Sequence, residues 1–231
     1  VNYACHPVSL GGQNRLISPD YIGTMREVIE EENKDALCVF LHGPSGELTP
    51  RRSYEGNVEA AEQNGRELGY AALAVLTSMF PVGQELAYQG IEESGTPLGV
   101  WKLKAKPEIS TTLSGEVVDI KLPLIDLPSR AELEAKLAVA TERFEIERIE
   151  RSIARIDTVG DATEGDFQYG VWRLGDSFIV STPAEPYSQF QVDLRKKYPD
   201  AAVAVLNLTN GFTTYLPAVS ERKISGDDCV V

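Results

Sequence analysis

The alternation of short apolar runs with helical patterns over the first 80 residues most constrains the fold. Val1 to Cys5 reads as a strand, and a Gly11-Gly12 loop follows it. Ser18-Pro19-Asp20 carries helix-start chemistry: a capping hydroxyl at Ser18, a proline suited to the first turn and a carboxylate suited to the positive helix end. Tyr21, Met25, Val28 and Ile29 then recur at helical spacing. Ala36 to Leu41 is a continuous apolar run too short for a helix, which predicts a buried strand of the kind found in parallel sheets. After the loop His42-Gly43-Pro44-Ser45-Gly46, Val58 to Phe80 is helical again and rich in Ala and Leu. Strand, loop, helix repeated in this way is the signature of βαβ units. The expected class is therefore α/β, with a mixed, largely parallel central sheet flanked by helices.

The middle of the chain differs. Val82 to Leu127 is rich in Gly, Pro, Thr and Ser, with strand-like alternation from Glu116 to Leu122, and predicts extended segments decorating the main sheet. Ser129-Arg130-Ala131-Glu132 is a capping box. Leu133, Leu137, Ala140, Phe144, Ile149, Ile153 and Ile156 continue at three-to-four spacing. They predict a long charged helical arm at about 129–157, one helix or two joined near Glu145, serving as scaffold. Phe167 to Leu174 and Ser177 to Ser181 then read as a hairpin turning at Gly175-Asp176. Tyr187, Phe190 and Leu194 mark a short helix, and Ala201 to Leu208 a further apolar strand. The organisation expected is a single domain over 1–231, with 82–160 as an inserted extended and helical region.

Acidic residues outnumber basic ones, 35 to 22, and the formal charge is −13. Such a surface repels phosphate backbones, so nucleic acid is not an expected partner. No apolar run is long enough to cross a bilayer as a helix, and no Lys/Arg-led signal segment is seen. Cys5, Cys38 and Cys229 lack metal-site spacing, and the first two read as buried thiols acting as small hydrophobes.

Three kinds of side chain stand out as carriers of chemistry. His6 and His42, the only histidines, each follow a strand-like run. Glu185 lies between Pro183 and Pro186 just past another, and Tyr215 follows the turn signal Asn210-Gly211 past a third. If those strands share a sheet, a ring nitrogen, a carboxylate and a phenol converge at the edge where open α/β sheets bind ligands. The plainer readings are a helix-start carboxylate for Glu185 and aromatic packing for Tyr215. The segment His42 to Arg51 is not a phosphate loop, because Gly-Lys-Ser/Thr is missing. It offers backbone N–H groups beside a hydroxyl and a guanidinium, which suits oxyanion stabilisation, or it is a surface turn.

Several segments also resemble those of a known family, in the same order. Asn2 to Ser9 resembles its His-Pro-Thr-Ser segment, and Ile17 to Gly23 its Ile-Ser-x-Asp-x-x-Gly. Gly46 to Arg51 resembles its Gly-Asp-Val-Ser-Pro-Asn loop, and Pro183-Ala184-Glu185 with Asn210 to Tyr215 its two C-terminal metal segments. The family is the neutral/alkaline (non-lysosomal) ceramidases, and the likeness is greater to its shorter bacterial homologues of unassigned substrate. The resemblance implies a zinc-dependent hydrolase of an N-acyl (amide) bond, with Zn2+ at one site, a small-molecule or lipid-like amide as substrate, and a secreted or periplasmic location. It implies that His6, Glu185 and Tyr215 hold the metal, with an open position for water. Thr49 takes the place of the family's serine and, with Arg51, faces the reacting carbonyl. Asp20, His42 and Asn210 stand behind these groups or near the substrate, Asp20 either orienting His6 or capping its helix. The family's other zinc histidine lies in an upstream Thr-His-x-His segment that has no counterpart in this chain. The set is one histidine short, as in part of a domain, a processed form or a diverged relative. Two further readings follow: a non-catalytic binding module, or a site in which His42 supplies the missing ligand.

Overall fold

A computed structural model describes residues 1–124, 128–160, 162–213 and 215–218; Cys229 and Leu127 lie outside the described residues. Two helices pack through small residues near its start. Helix α1 (Tyr21–Glu32) buries Tyr21 and Met25. Helix α2 (Val58–Ser78) meets it with Ala61, Gly65 and Gly69, which recur every fourth residue on one face. A Cβ on Gly65 would lie 2.5 Å from the Tyr21 carbonyl oxygen, and one on Gly69 2.8 Å from Val28 Cβ. Side chains there would hold the two backbones apart.

The cap of α1 is Asp20 and not Ser18. Asp20 Oδ1 accepts from Tyr21 N at 2.8 Å, Asp20 Oδ2 accepts from Leu10 N at 3.0 Å, and Ser18 Oγ accepts from Asp20 N at 3.0 Å. A carboxylate satisfies two backbone donors at once, on the helix and on the preceding loop, where a hydroxyl facing the helix would satisfy one.

Strand β1 (Asn2–Tyr3) is shorter than the Val1–Cys5 run and pairs in parallel with β2 (Leu41–His42). Hydrogen bonds from Leu41 N to Val1 O (2.7 Å) and from Gly43 N to Tyr3 O (2.9 Å) continue the pairing. The run Ala36 to Leu41 is not buried on both faces as expected. Cys38 packs inward, with Sγ 4.0 Å from Met25 Sδ, while Leu37 and Val39 are 74% and 56% exposed. Cys38 faces helix α1 while its neighbours in the chain point away from it, so only alternate residues are covered.

Strands β3 (Gln84–Glu93) and β4 (Pro97–Ala105) form a separate antiparallel hairpin and do not join the main sheet. Strand β5 (Leu113–Pro123) does join it. Helix α3 (Arg130–Leu137) begins with the reciprocal Ser129–Glu132 capping box. A break at 138–142 separates it from α4 (Arg143–Val159), so the arm is two helices, with Leu133 and Ile149 as their buried residues. Strand β6 (Glu164–Leu174) turns through Gly175-Asp176, with Gly175 at φ 63°, into β7 (Ser177–Ser181). Then come β8 (Glu185–Pro186), α5 (Gln189–Lys197), β9 (Ala202–Leu206) and β10 (Tyr215–Leu216).

The main sheet runs β5-β6-β7-β9. Its β5–β6 and β6–β7 pairs are antiparallel, while β7–β9 is parallel and crosses over through α5. The pairs β1–β2 and β8–β10 are parallel as well. Asn207 N donates to His42 O at 2.9 Å and Asn2 Nδ2 to Val205 O at 3.0 Å, tying β9 to β2 and β1. The fold is mixed α/β, and parallel pairing dominates where the chemistry-bearing residues lie.

Candidate functional site

His6 sits three residues past β1, held by one backbone atom at two points. The Leu48 carbonyl accepts from His6 N at 2.9 Å and from His6 Nδ1 at 3.0 Å. A carbonyl only accepts, so Nδ1 carries a hydrogen and Nε2 is left facing Glu185 Oε2 at 2.9 Å.

Glu185 and Tyr215 are brought together by strand register. They are direct partners in the β8–β10 bridge, flanked by hydrogen bonds from Thr213 N to Pro183 O and from Tyr187 N to Leu216 O, both 3.0 Å. Glu185 is buried. The Tyr215 ring stacks on His6 with centroids 6.2 Å apart and planes 28° from parallel. Burial, the Glu185 charge and a hydrogen bond to that carboxylate hold the Tyr215 pKa above its ordinary value. The His6 pKa is raised chiefly by its hydrogen bond to Glu185; burial opposes this, and the Leu48 and Ser45 carbonyls add to it.

His42 lies beside His6 but is engaged elsewhere. The rings meet edge to face with centroids 6.0 Å apart. His42 Nε2 is 2.7 Å from Ser45 Oγ. Burial, with the neighbouring His6, lowers the His42 pKa below its ordinary value. The His42 Nε2 is thus engaged by Ser45 and not by Glu185. Among the described residues, no group of three or more His, Cys, Asp or Glu side chains is arranged to hold a metal ion.

Asp20 makes no direct contact with His6, because its two oxygens serve Leu10 N and Tyr21 N. Tyr21, the first residue of the helix that Asp20 caps, donates its hydroxyl to the Cys5 carbonyl at 2.6 Å, one residue before His6. Thr49 and Arg51 are on exposed surface immediately after Leu48. Asn210 is an exposed turn residue at φ 56° and not a buried neighbour of Tyr215. Three backbone N–H groups of the 42–51 loop are engaged within the fold. Gly43 N donates to Tyr3 O, Gly46 N to Pro186 O at 3.1 Å and Leu48 N to Ser45 O at 2.9 Å. A Cβ on Gly46 would fall 2.5 Å from Tyr187 Cδ1, so this glycine serves close packing of the loop on β8.

Two polar residues that pattern-reading overlooks complete the cluster. Ser45 is fully buried, and buried Asn207 directs Nδ2 toward Ser45 Oγ at 3.4 Å. The available signal was a polar residue in the apolar run Ala201 to Leu208 and a hydroxyl inside a strand-end loop.

No family model and no curated protein sequence matches this chain. Solved structures do. A ceramidase complexed with C2 superposes with a TM-score of 0.54 at 12% identity over 98% of this chain. The neutral ceramidase of Pseudomonas aeruginosa does so with a TM-score of 0.53 at 14% identity, also over 98%. This chain spans 41% and 39% of the length of those enzymes. At such identity the likeness defines the fold class: this is a ceramidase-like α/β fold.

Proposed function

We propose that this chain carries the zinc-site portion of a ceramidase-like hydrolase, with His6, Glu185 and Tyr215 holding the metal and an N-acyl (amide) bond as target. The observation that carries the reading is the arrangement of His6. Its Nδ1 hydrogen goes to a backbone carbonyl, the usual way a metal-ligating imidazole is oriented. Its Nε2 then faces a carboxylate oxygen, and two acceptors in contact call for a proton or a cation between them. The donor set fits zinc, which takes imidazole nitrogen and carboxylate oxygen readily. When bound, zinc lowers the pKa of a water and polarises a carbonyl. Tyr215 keeps its proton without metal, and its ring packs on His6 and limits the imidazole's rotation. Thr49 and Arg51, exposed beside Leu48, are placed to meet an acyl substrate arriving from solvent. The substrate is a small or lipid-like amide, in keeping with the solved neighbours.

Hydrolysis of a chromogenic N-acyl amide, measured with added zinc and with chelator, tests this reading. Turnover that chelation abolishes, zinc restores and His6→Ala removes is expected. One specific observation favours a second reading, a non-catalytic binding module: His42 is engaged with Ser45, so no fourth protein ligand faces the cluster among the described residues. A folded chain that shows no turnover at saturating zinc on short- and long-chain N-acyl amides supports that module.

A further inference from the structure

We propose that Glu47 is a positioning residue: its carboxylate latches the turn that aims His6 to the start of α5, three residues past Glu185. The functional meaning rests on His6 and Glu185 as ligands, while the latch itself is a contact independent of zinc. A carboxylate this near the cluster invites reading as a general base. Both its oxygens are committed elsewhere. Ser188 N donates to Glu47 Oε1 at 3.0 Å and to Oε2 at 3.1 Å, and Ser188 Oγ donates to Oε1. The side chain therefore serves to hold the loop, not to take a proton from water.

Helix α5 explains why a carboxylate is wanted there. Ser188 is its N-cap residue, yet the Ser188 side chain makes no capping bond and no acidic residue stands in the first turn. The last turn is complemented by Arg195, Lys196 and Lys197, the first by nothing of its own. Glu47 brings the missing negative charge and a backbone acceptor from 141 residues away.

Three successive residues then form a bridge between two of the candidate ligands. Gly46 N donates to the carbonyl of Pro186, the residue after Glu185, at 3.1 Å. Glu47 holds Ser188. The Leu48 carbonyl accepts from both His6 N and His6 Nδ1. The Gly46 bond alone fixes one point and leaves the turn free to pivot about it. Glu47 supplies a second point, and two points set the direction in which the neighbouring Leu48 carbonyl holds the imidazole relative to Glu185.

Amide hydrogen exchange of the metal-free chain, read residue by residue, tests the latch. In Glu47→Ala the amides of His6 and Gly46 are expected to exchange about fivefold faster, the change in local opening that a lost helix cap typically brings. Those of Gly43 and Asn207, bonded to Tyr3 O and His42 O, should keep their wild-type rates. Calorimetry is expected to show zinc bound about tenfold more weakly, the lower end of the cost of removing a partner that orients a ligating imidazole. Ser129→Ala removes an exposed cap from α3 and should move neither readout. Glu47→Gln keeps an oxygen acceptor without the charge and is expected to fall between Glu47→Ala and wild type. Faster exchange at all four amides alike, equal shifts in Ser129→Ala, or unchanged zinc affinity beside faster His6 exchange makes Glu47 a structural cap only and overturns the proposal. If Glu47→Ala does not fold, Glu47→Gln decides: rates and affinity equal to wild type overturn it. A wild type that binds no zinc overturns the ligand reading of His6 and Glu185, and exchange at His6 and Gly46 then decides the latch alone.

Discussion

His6 Nε2 and Glu185 Oε2 lie 2.9 Å apart although 179 residues separate them in the chain. Nothing local produces this contact. It needs β1 beside β2, the 42–48 loop packed on β8 through Gly46, and β9 seated against β2. The pair therefore reports on the whole arrangement of the parallel strands.

The same pair sets a pH dependence whose sign depends on metal. Glu185 raises the His6 pKa above its ordinary value of about 6.5. Without metal, the stabilisation from the charged imidazole is fully present below that ordinary value and is lost as pH rises through the raised one. With zinc the order reverses, because the cation competes with the proton for Nε2 and is favoured as pH rises. Melting of wild type and His6→Gln from roughly pH 5.5 to 9 in chelator should show the wild-type advantage shrinking with pH. With zinc the advantage should grow. The same trend in both conditions would contradict the ligand assignment.

Asp20 caps α1 and ties the preceding loop to it. Asp20→Ala is expected to destabilise the fold by about 1–2 kcal/mol, the cost of a lost helix cap, with a further penalty for the Leu10 N–H it leaves without an acceptor. Zinc stoichiometry should not change. A loss of metal binding as large as that in Glu185→Gln, in a protein that still melts cooperatively, would show that Asp20 acts on His6 directly.

The α1–α2 crossing offers a test of the fold alone. Gly65→Ala places a methyl group 2.5 Å from the Tyr21 carbonyl, and overpacking of this kind typically costs about 1–3 kcal/mol. Gly12→Ala meets nothing within 4 Å and should be close to neutral. Denaturant titration of the two variants side by side checks the close approach. Equal stability would mean that the helices are not in contact at Gly65.

Local chemistry made much of this legible beforehand. The Ser129–Glu132 capping box, the Gly175-Asp176 hairpin and the helical spacing of Tyr21 and Met25 each depend on a few neighbouring residues, and each is seen in the structure. The donors at His6, Glu185 and Tyr215 drew attention because loops past apolar runs are where such side chains gather, and the structure places the three side by side. What sequence could not supply was partnership at long range. Whether Ala36 to Leu41 is covered on one side or two depends on what packs there, not on its own residues. Ser45 and Asn207 look like ordinary loop and strand-end residues until β9 is set beside β2. That Gly43 and Gly46 N–H are engaged could not be read locally, because their acceptors, Tyr3 O and Pro186 O, come from distant segments.

Tyr215→Phe separates the two contributions of that ring. The stack on His6 survives, while the phenol oxygen is lost. Zinc binding weaker than wild type but stronger than in His6→Ala is the expected result by calorimetry. Affinity equal to wild type would leave Tyr215 a packing residue only.

The most direct measurement is the zinc content of the purified chain after equilibration with excess zinc and removal of free ion. Wild type, His6→Ala and Glu185→Gln should be compared in parallel, with circular dichroism to verify folding. The proposed site predicts about one zinc per wild-type chain, held by three protein donors and water, and a loss of most of it in both variants. Wild-type protein that retains no zinc, or variants that retain as much as wild type, would contradict it.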